Sequence, residues 1–190
     1  MYKKYFFIIL ILFFGIVLNF SQNNKPSLEP QKQAVQASPS AGQNSTASAV
    51  LGRQTKTAGC IGQNALPDSA CTPGAIFPQV TKEEVCTKGY TKTVRNVPQQ
   101  VKNKVYEEYG IYSHTTGEYE VDHFISLELG GSNDISNLWP EAADPVPGFH
   151  QKDLVENYLN KQICQGIISL SEAQKEISTN WLEIYNRMQK

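Results

Sequence analysis

The distribution of aromatic residues separates the parts of this 190-residue chain that can fold from those that cannot. No Phe, Trp or Tyr occurs between Phe20 and Phe77, and residues 21–59 consist largely of Gln, Ser, Ala, Asn and Pro. Such a segment buries too little apolar surface to offset its chain entropy. We therefore predict a disordered polar linker over residues 21–59. A single folded domain is predicted over residues 60–190, which is long enough for one compact core.

The N-terminal segment, residues 1–20, predicts export from the cytoplasm. It begins with Lys3 and Lys4 and continues as an apolar run from Tyr5 to Leu18. This pattern is typical of a signal peptide or of an N-terminal membrane anchor, and a poor cleavage site leaves both readings open. Because the lysines stay inside, the rest of the chain crosses the membrane. We expect a periplasmic or extracellular protein, or one tethered to the outer face of the cytoplasmic membrane.

All four cysteines lie in the predicted domain, and none of them forms a CxxC pair: Cys60, Cys71, Cys86 and Cys164. An even number of cysteines behind an export signal favours disulfide bonds over a zinc ribbon or a redox motif. Of the three pairings, we favour Cys60–Cys71, which closes a short loop, together with Cys86–Cys164. The latter would tie the start of the domain to its C-terminal part. Reduced, buried cysteines are the alternative.

Local patterns predict a mixed α+β domain. Proline, glycine and capping signals predict helices at residues 98–109, at residues 148–162 and from Ser169 onward. Alternating apolar residues predict strands at residues 88–97 and 118–129. The apolar stripe of the last helix indicates packing in the core rather than a binding surface.

A cluster of chemically versatile residues follows the second predicted strand. Asp122 and His123 stand near its end, Gly130-Gly131 predicts a turn, Asn137 follows it, and His150 falls in the first turn of the next helix. Neighbouring strand residues point to opposite faces, so a shared site requires a bend or bulge. A carboxylate, an amide and two imidazoles in one place would suit a hard metal ion and a general base.

These residues resemble the HNH endonuclease motif of the ββα-metal, or His-Me finger, nucleases in its Asp-His variant. The wider run, with Val121-Asp-His-Phe-Ile-Ser-Leu-Glu-Leu-Gly-Gly and Asn137-Leu-Trp-Pro-Glu, is similar to a group of small exported bacterial proteins. The resemblance extends over about residues 66–181. It implies an α+β fold with a ββα-metal core, additional helices and a small disulfide-bonded domain. The chain departs from many members in having Lys152, Asp153 and Leu154 where they carry a further His or Asn.

The resemblance also implies roles for individual residues. His123 would be the general base, and Asn137 would either fix that base through the loop backbone or help to ligate the metal. Asp122 and His150 would hold one divalent ion, with Mg²⁺ expected and Mn²⁺, Ca²⁺ or Zn²⁺ as alternatives. The implied function is a metal-dependent endonuclease that cleaves DNA or RNA with little sequence specificity. The alternative is a non-catalytic exported envelope or binding module that retains the scaffold.

The charge distribution bears on the expected partner. The whole chain has 17 Lys and Arg against 18 Asp and Glu, which removes the simplest argument for nucleic-acid binding. Residues 82–104, however, contain six basic and two acidic residues, whereas residues 105–128 contain six acidic and no basic ones. We predict phosphate contacts from Arg95 and Lys152. We expect a monomer that binds nucleic acid, and also the membrane if residues 1–20 are not cleaved.

Overall fold

The computed structural model describes residues 52–190. The predicted signal peptide or anchor over residues 1–20, and most of the predicted linker, lie outside the described residues. Within residues 52–190, no helix has the length and the apolar character needed to cross a membrane.

The described residues form an α+β fold built from five helices and a small sheet. The helices are α1 Lys82–Val85, α2 Tyr90–Val94, α3 Gln99–Glu108, α4 Phe149–Cys164 and α5 Leu170–Met188. The strands are β1 Tyr119–His123 and β2 Leu138–Ala142, and two short 3₁₀ helices lie between them at Leu127–Leu129 and Ile135–Asn137. The strands pair antiparallel, with Asp122 opposite Trp139 and His123 opposite Leu138. The chain therefore runs strand, loop, strand and helix through the region of the Asp-His pair.

All three predicted helices are confirmed, as α3, α4 and α5. The helix α5 begins with the predicted capping box, in which the Ser169 hydroxyl accepts from the Glu172 backbone and the Glu172 carboxylate accepts from the Ser169 backbone. Its chain kinks at Asn180, whose backbone dihedral angles are not helical.

The predicted strand at residues 88–97 is wrong, because residues 90–94 form the helix α2. Tyr90 and Val94 are four residues apart, a spacing that places them on one face of a helix as well as on one face of a loosely alternating strand. Gly89 begins this helix in the left-handed region, at a φ of 85°. The second predicted strand is shorter than expected, since β1 ends at His123, and β2 was not predicted.

The main core lies where α4 and α5 pack against the loop that follows β1. It is built from Val155, Leu159 and Ile163 of α4 and from Ile177, Trp181 and Ile184 of α5, all buried. Ile125 and Leu129 fill the space beneath these helices. The apolar stripe of α5 is thus core, as predicted. A second cluster, with Val105, Val121 and Leu138, packs α3 against the sheet.

Both favoured disulfide bonds are confirmed. Cys60 is bonded to Cys71, and Cys86 at the end of α1 is bonded to Cys164, the last residue of α4. No free cysteine is present among the described residues. Two disulfide bonds are typical of proteins that work in an oxidising, extracellular-type environment.

Residues just before position 60 are hydrogen-bonded to the domain. The backbone amides of Thr55 and Lys56 both donate to the carbonyl of Ala70. The Lys56 ammonium also lies 2.9 Å from the Asp68 carboxylate. Residues in this segment carry no aromatic group, but backbone hydrogen bonds and one ion pair hold them against the domain.

We expect the two disulfide bonds to differ in their contribution to the free energy of unfolding. The chain-entropy model gives about 4.5 kcal/mol for the 78-residue separation of Cys86–Cys164 and about 2.8 kcal/mol for the 11-residue separation of Cys60–Cys71. Paired Cys-to-Ala variants, compared by urea denaturation, should therefore rank in that order. An equal or greater loss in the variant lacking Cys60–Cys71 would contradict the ranking.

Candidate functional site

The loop between β1 and β2 brings the end of β1 and the start of β2 together. The Phe124 amide donates to the Asn137 carbonyl at 2.8 Å, which closes the hairpin just beyond His123. Gly131 lies so close to the preceding turn that an added Cβ would stand 1.7 Å from the Ile125 carbonyl oxygen. Only glycine fits there, and the predicted Gly-Gly turn does return Asn137 to the strand end.

The Asn137 side chain is fully buried and holds this loop in place. Its oxygen accepts from the Ile125 amide at 2.9 Å and from the Ala75 amide at 3.3 Å. Its amino group donates to the carbonyls of Ile125 at 3.0 Å and Ser132 at 2.9 Å. Because both ends of the amide form hydrogen bonds with backbone groups, this geometry matches a role for Asn137 in fixing the loop backbone. The amide oxygen is not directed at a metal ion.

His123 is 2% exposed, and a second asparagine determines its tautomer. The Asn133 amino group donates to the Val94 carbonyl at 2.7 Å, so the Asn133 oxygen faces the imidazole Nε2 at 3.1 Å. Since that oxygen can only accept, Nε2 carries the hydrogen. The lone pair of neutral His123 therefore lies on Nδ1, for which the described residues offer no hydrogen-bond partner.

Burial also keeps this imidazole neutral. Removal from water lowers the pKa of His123 below its ordinary value of 6.5, and this effect outweighs the hydrogen bond to Asn133 and the nearby Asp122 carboxylate. A neutral imidazole with a free Nδ1 lone pair is the form that a general base requires.

Lys152, for which the sequence predicts a phosphate contact, lies in the interior. Its side chain is 0% exposed, and its ammonium donates to Asp122 Oδ2 at 2.6 Å, to Glu156 Oε1 at 2.5 Å and to the His123 carbonyl at 2.9 Å. Glu141 Oε2 lies 3.8 Å away. We call Lys152, Asp122, Glu141 and Glu156 the lysine–carboxylate cluster.

Within this cluster the carboxyl groups experience different environments. Burial would raise the pKa of Asp122, but the Lys152 ammonium outweighs it and holds that pKa below its usual value. Burial dominates for Glu156, whose pKa rises to about 7, and for Glu141, whose pKa lies well above its usual value. Neither Glu141 oxygen has a hydrogen-bond partner. Burial would lower the pKa of Lys152, but Asp122, Glu156 and Glu141 outweigh it and hold that pKa well above its usual value, so the ammonium stays charged.

The residues predicted to hold a divalent metal do not fit that role here. His150 is exposed in the first turn of α4, where its ring packs on Phe149 at a centroid distance of 4.3 Å, and it forms no ion pair with Asp122. The Lys152 ammonium already contacts Asp122. Among residues 52–190, no three or more His, Cys, Asp or Glu side chains are arranged to hold a metal ion.

Arg95 remains at the surface, close enough to influence the site. Burial raises the pKa of Glu120, Glu128 and Asp153, and the Arg95 guanidinium opposes that rise in each case. Its charge also helps to lower the pKa of His123. Other exposed basic residues lie in the same part of the chain: Lys88, Lys92 and Lys104. The basic segment therefore offers positive charge to solvent near the acidic site.

Three residues important to this geometry were not predicted as site residues: Asn133, Glu141 and Glu156. Glu156 follows Lys152 by four positions, the spacing of an ion pair on one helix face. Asn133 follows the Gly-Gly turn and Glu141 lies in the unpredicted strand β2, so only the folded chain brings them to Asp122 and His123.

A cavity of about 750 Å³ lies beside β2 and does not include His123 or Asp122. Aromatic and proline residues form much of its wall: Tyr109, Tyr119, Trp139, Pro140, Pro145 and Pro147. Of the lysine–carboxylate cluster, Glu141 lines this cavity, whereas Asp122, Lys152 and Glu156 do not.

Comparisons of the chain with protein-family models, with curated proteins and with solved structures gave no match.

We expect His123 to titrate below pH 6.5. Its folded-state pKa is depressed relative to the unfolded chain, so its contribution to stability is present above about pH 6.5 and is lost as the pH falls through the folded-state value. NMR titration of the imidazole in the presence of EDTA measures this midpoint, with the urea-unfolded chain as the reference. A midpoint at or above that of the unfolded chain would contradict the assignment.

Replacing Asn137 should destabilise the domain strongly. The change Asn137→Ala leaves two amides and two carbonyls without their partner, and we expect a loss of about 3–5 kcal/mol in the free energy of unfolding. Urea denaturation under oxidising conditions measures the loss. The matched control is Asn103→Ala on the exposed face of α3, which should change stability by less than about 0.5 kcal/mol. Similar losses in the two variants would refute the role of Asn137.

Proposed function

We propose that this chain is an exported endonuclease of the HNH, or ββα-metal, type that hydrolyses phosphodiester bonds of DNA or RNA with little sequence specificity. The observation that carries the proposal is the His123 imidazole, which is neutral, has a defined tautomer and stands at the end of β1. The order β1, loop, β2 and α4 and the buried Asn137 support the same reading.

In this proposal His123 Nδ1 removes a proton from a water molecule. The water oxygen forms a bond to phosphorus, the bond between phosphorus and the leaving oxygen breaks, and that oxygen takes a proton from solvent. Asn133 orients the imidazole by accepting from Nε2, and Asn137 fixes the backbone of the loop behind it. A base positioned in this way contributes roughly 10²–10⁴-fold to the rate.

Arg95 is the candidate contact for the substrate phosphate. Its guanidinium is exposed and electrostatically coupled to His123 and Asp153. A guanidinium can bind a phosphate through two parallel hydrogen bonds, which would hold the phosphorus near the base. Lys152 cannot make this contact, because its ammonium is buried and paired with Asp122 and Glu156.

The proposal assigns no step to a metal ion. Asp122 is paired with Lys152, and His150 lies apart from that pair on the exposed face of α4. We propose secretion or membrane tethering through residues 1–20, which agrees with the two disulfide bonds.

A cleavage assay tests this function. The purified, oxidised full chain should degrade plasmid DNA or RNA, and His123→Ala should reduce the rate by roughly 10²–10⁴-fold. His114→Ala, at an exposed loop position, is the matched control and should keep the wild-type rate. Each protein is assayed with EDTA, with Mg²⁺ and with Mn²⁺. Undiminished cleavage by the His123 variant would remove this residue from the reaction.

Two observations favour the alternative, a non-catalytic exported envelope or binding module. Only 2% of the His123 surface is exposed, and a lysine contacts the carboxylate that would otherwise hold a metal. If the folded, oxidised wild-type chain cleaves neither substrate under any of the three conditions, the alternative replaces the nuclease.

A further inference from the structure

In the lysine–carboxylate cluster, oxygen atoms surround the Lys152 ammonium. These oxygen atoms come from three elements: Asp122 and the His123 carbonyl at the end of β1, Glu141 in β2, and Glu156 in α4. All are largely withdrawn from solvent, with side-chain exposures of 15% for Asp122, 1% for Glu141 and 12% for Glu156. Carboxylate and carbonyl oxygens are the ligands that hard cations prefer.

The position at the centre of these oxygens is taken by the Lys152 ammonium. Three contacts of 2.5–2.9 Å use the three hydrogens of the ammonium. Glu141, by contrast, receives no hydrogen from any group although it is almost completely buried and its Oε2 lies only 3.8 Å from Lys152 Nζ. The oxygen donors therefore exceed what one ammonium can satisfy.

We infer that the Lys152 ammonium occupies the position beside Asp122 that the resemblance assigns to a metal ion. The wild-type chain accordingly takes no divalent cation at Asp122. Removal of the ammonium opens the position to a hard cation. The inference goes beyond the proposed function, because it concerns cation binding and holds whether or not the chain cleaves nucleic acid.

Ca²⁺ is the cation that the vacated position fits best. Its usual distances to oxygen, about 2.3–2.6 Å, approach the oxygen distances around Lys152 Nζ, whereas Mg²⁺ requires about 2.0–2.1 Å and near-ideal octahedral geometry. Shortening the side chain to alanine also frees the volume of its methylene groups and ammonium for water ligands. Methionine, in contrast, would refill most of that volume without a charge.

The experiment compares Lys152→Ala with wild type, with Lys152→Met and with Lys175→Ala, an exposed lysine of α5, in the oxidised full chain. Thermal midpoints are measured in EDTA and in millimolar CaCl2. We expect Lys152→Ala to have a lower midpoint in EDTA, because it leaves buried carboxylates without a cation, and to recover at least half of the loss with Ca²⁺. Wild type and Lys175→Ala should not respond to Ca²⁺, and Lys152→Met should be destabilised without recovery.

Calorimetry and circular dichroism complete the test. Lys152→Ala should bind one Ca²⁺ per chain, and the further change Asp122→Asn should abolish that binding. If Lys152→Ala is unfolded in EDTA, the appearance of its helical signal on addition of Ca²⁺ supports the inference, and its failure to appear overturns it. Binding of a divalent cation by the wild-type chain that Asp122→Asn removes would also overturn it. None of these measurements uses nuclease activity, so a failure here is separable from a failure of the proposed function.

Discussion

The Lys152 ammonium joins segments of the chain that are distant in sequence. It connects α4 to Asp122 and to the His123 carbonyl, thirty and twenty-nine residues earlier. A fully buried charge costs several kcal/mol unless it is paired and hydrogen-bonded, and here nearby carboxylates and a carbonyl meet that requirement. Because the same interaction fixes the backbone of His123, the position of the candidate base depends on the docking of α4.

Two asparagines of the loop between the strands define the rest of the site. Asn137 binds the backbone on both sides of the Gly-Gly turn, and Asn133 connects the His123 ring to the carbonyl of Val94 in α2. An amide suits both positions because it carries donors and an acceptor on one small planar group. These hydrogen bonds therefore give the loop a defined conformation, although most of its length is neither strand nor helix.

The predictions from the sequence succeeded where the signals are local. The end of α3 just before Gly110, the capping box of α5 and the apolar stripe of α5 depend on residues within a few positions of each other. The prediction failed at α2, where the spacing of Tyr90 and Val94 fits two structures, and at β2, whose strand Leu138–Ala142 exists through its pairing with β1. A sheet partner is not encoded within the strand itself, because pairing is a contact between distant segments.

The sequence by itself determined which chemical groups are available: one Asp-His pair, the asparagines of the loop, four cysteines and a basic segment before an acidic one. It also determined where the principal helices begin, since proline and capping signals act over about one turn. Only the tertiary structure decided which charged groups are buried and which of them are paired. Lys152 appears in the sequence as one more surface cation, yet the packing of α4 on β1 removes it from water and surrounds it with Asp122 and Glu156. Burial and the pairing of charges depend on neighbours brought together by folding, and those neighbours cannot be read from adjacent positions in the chain.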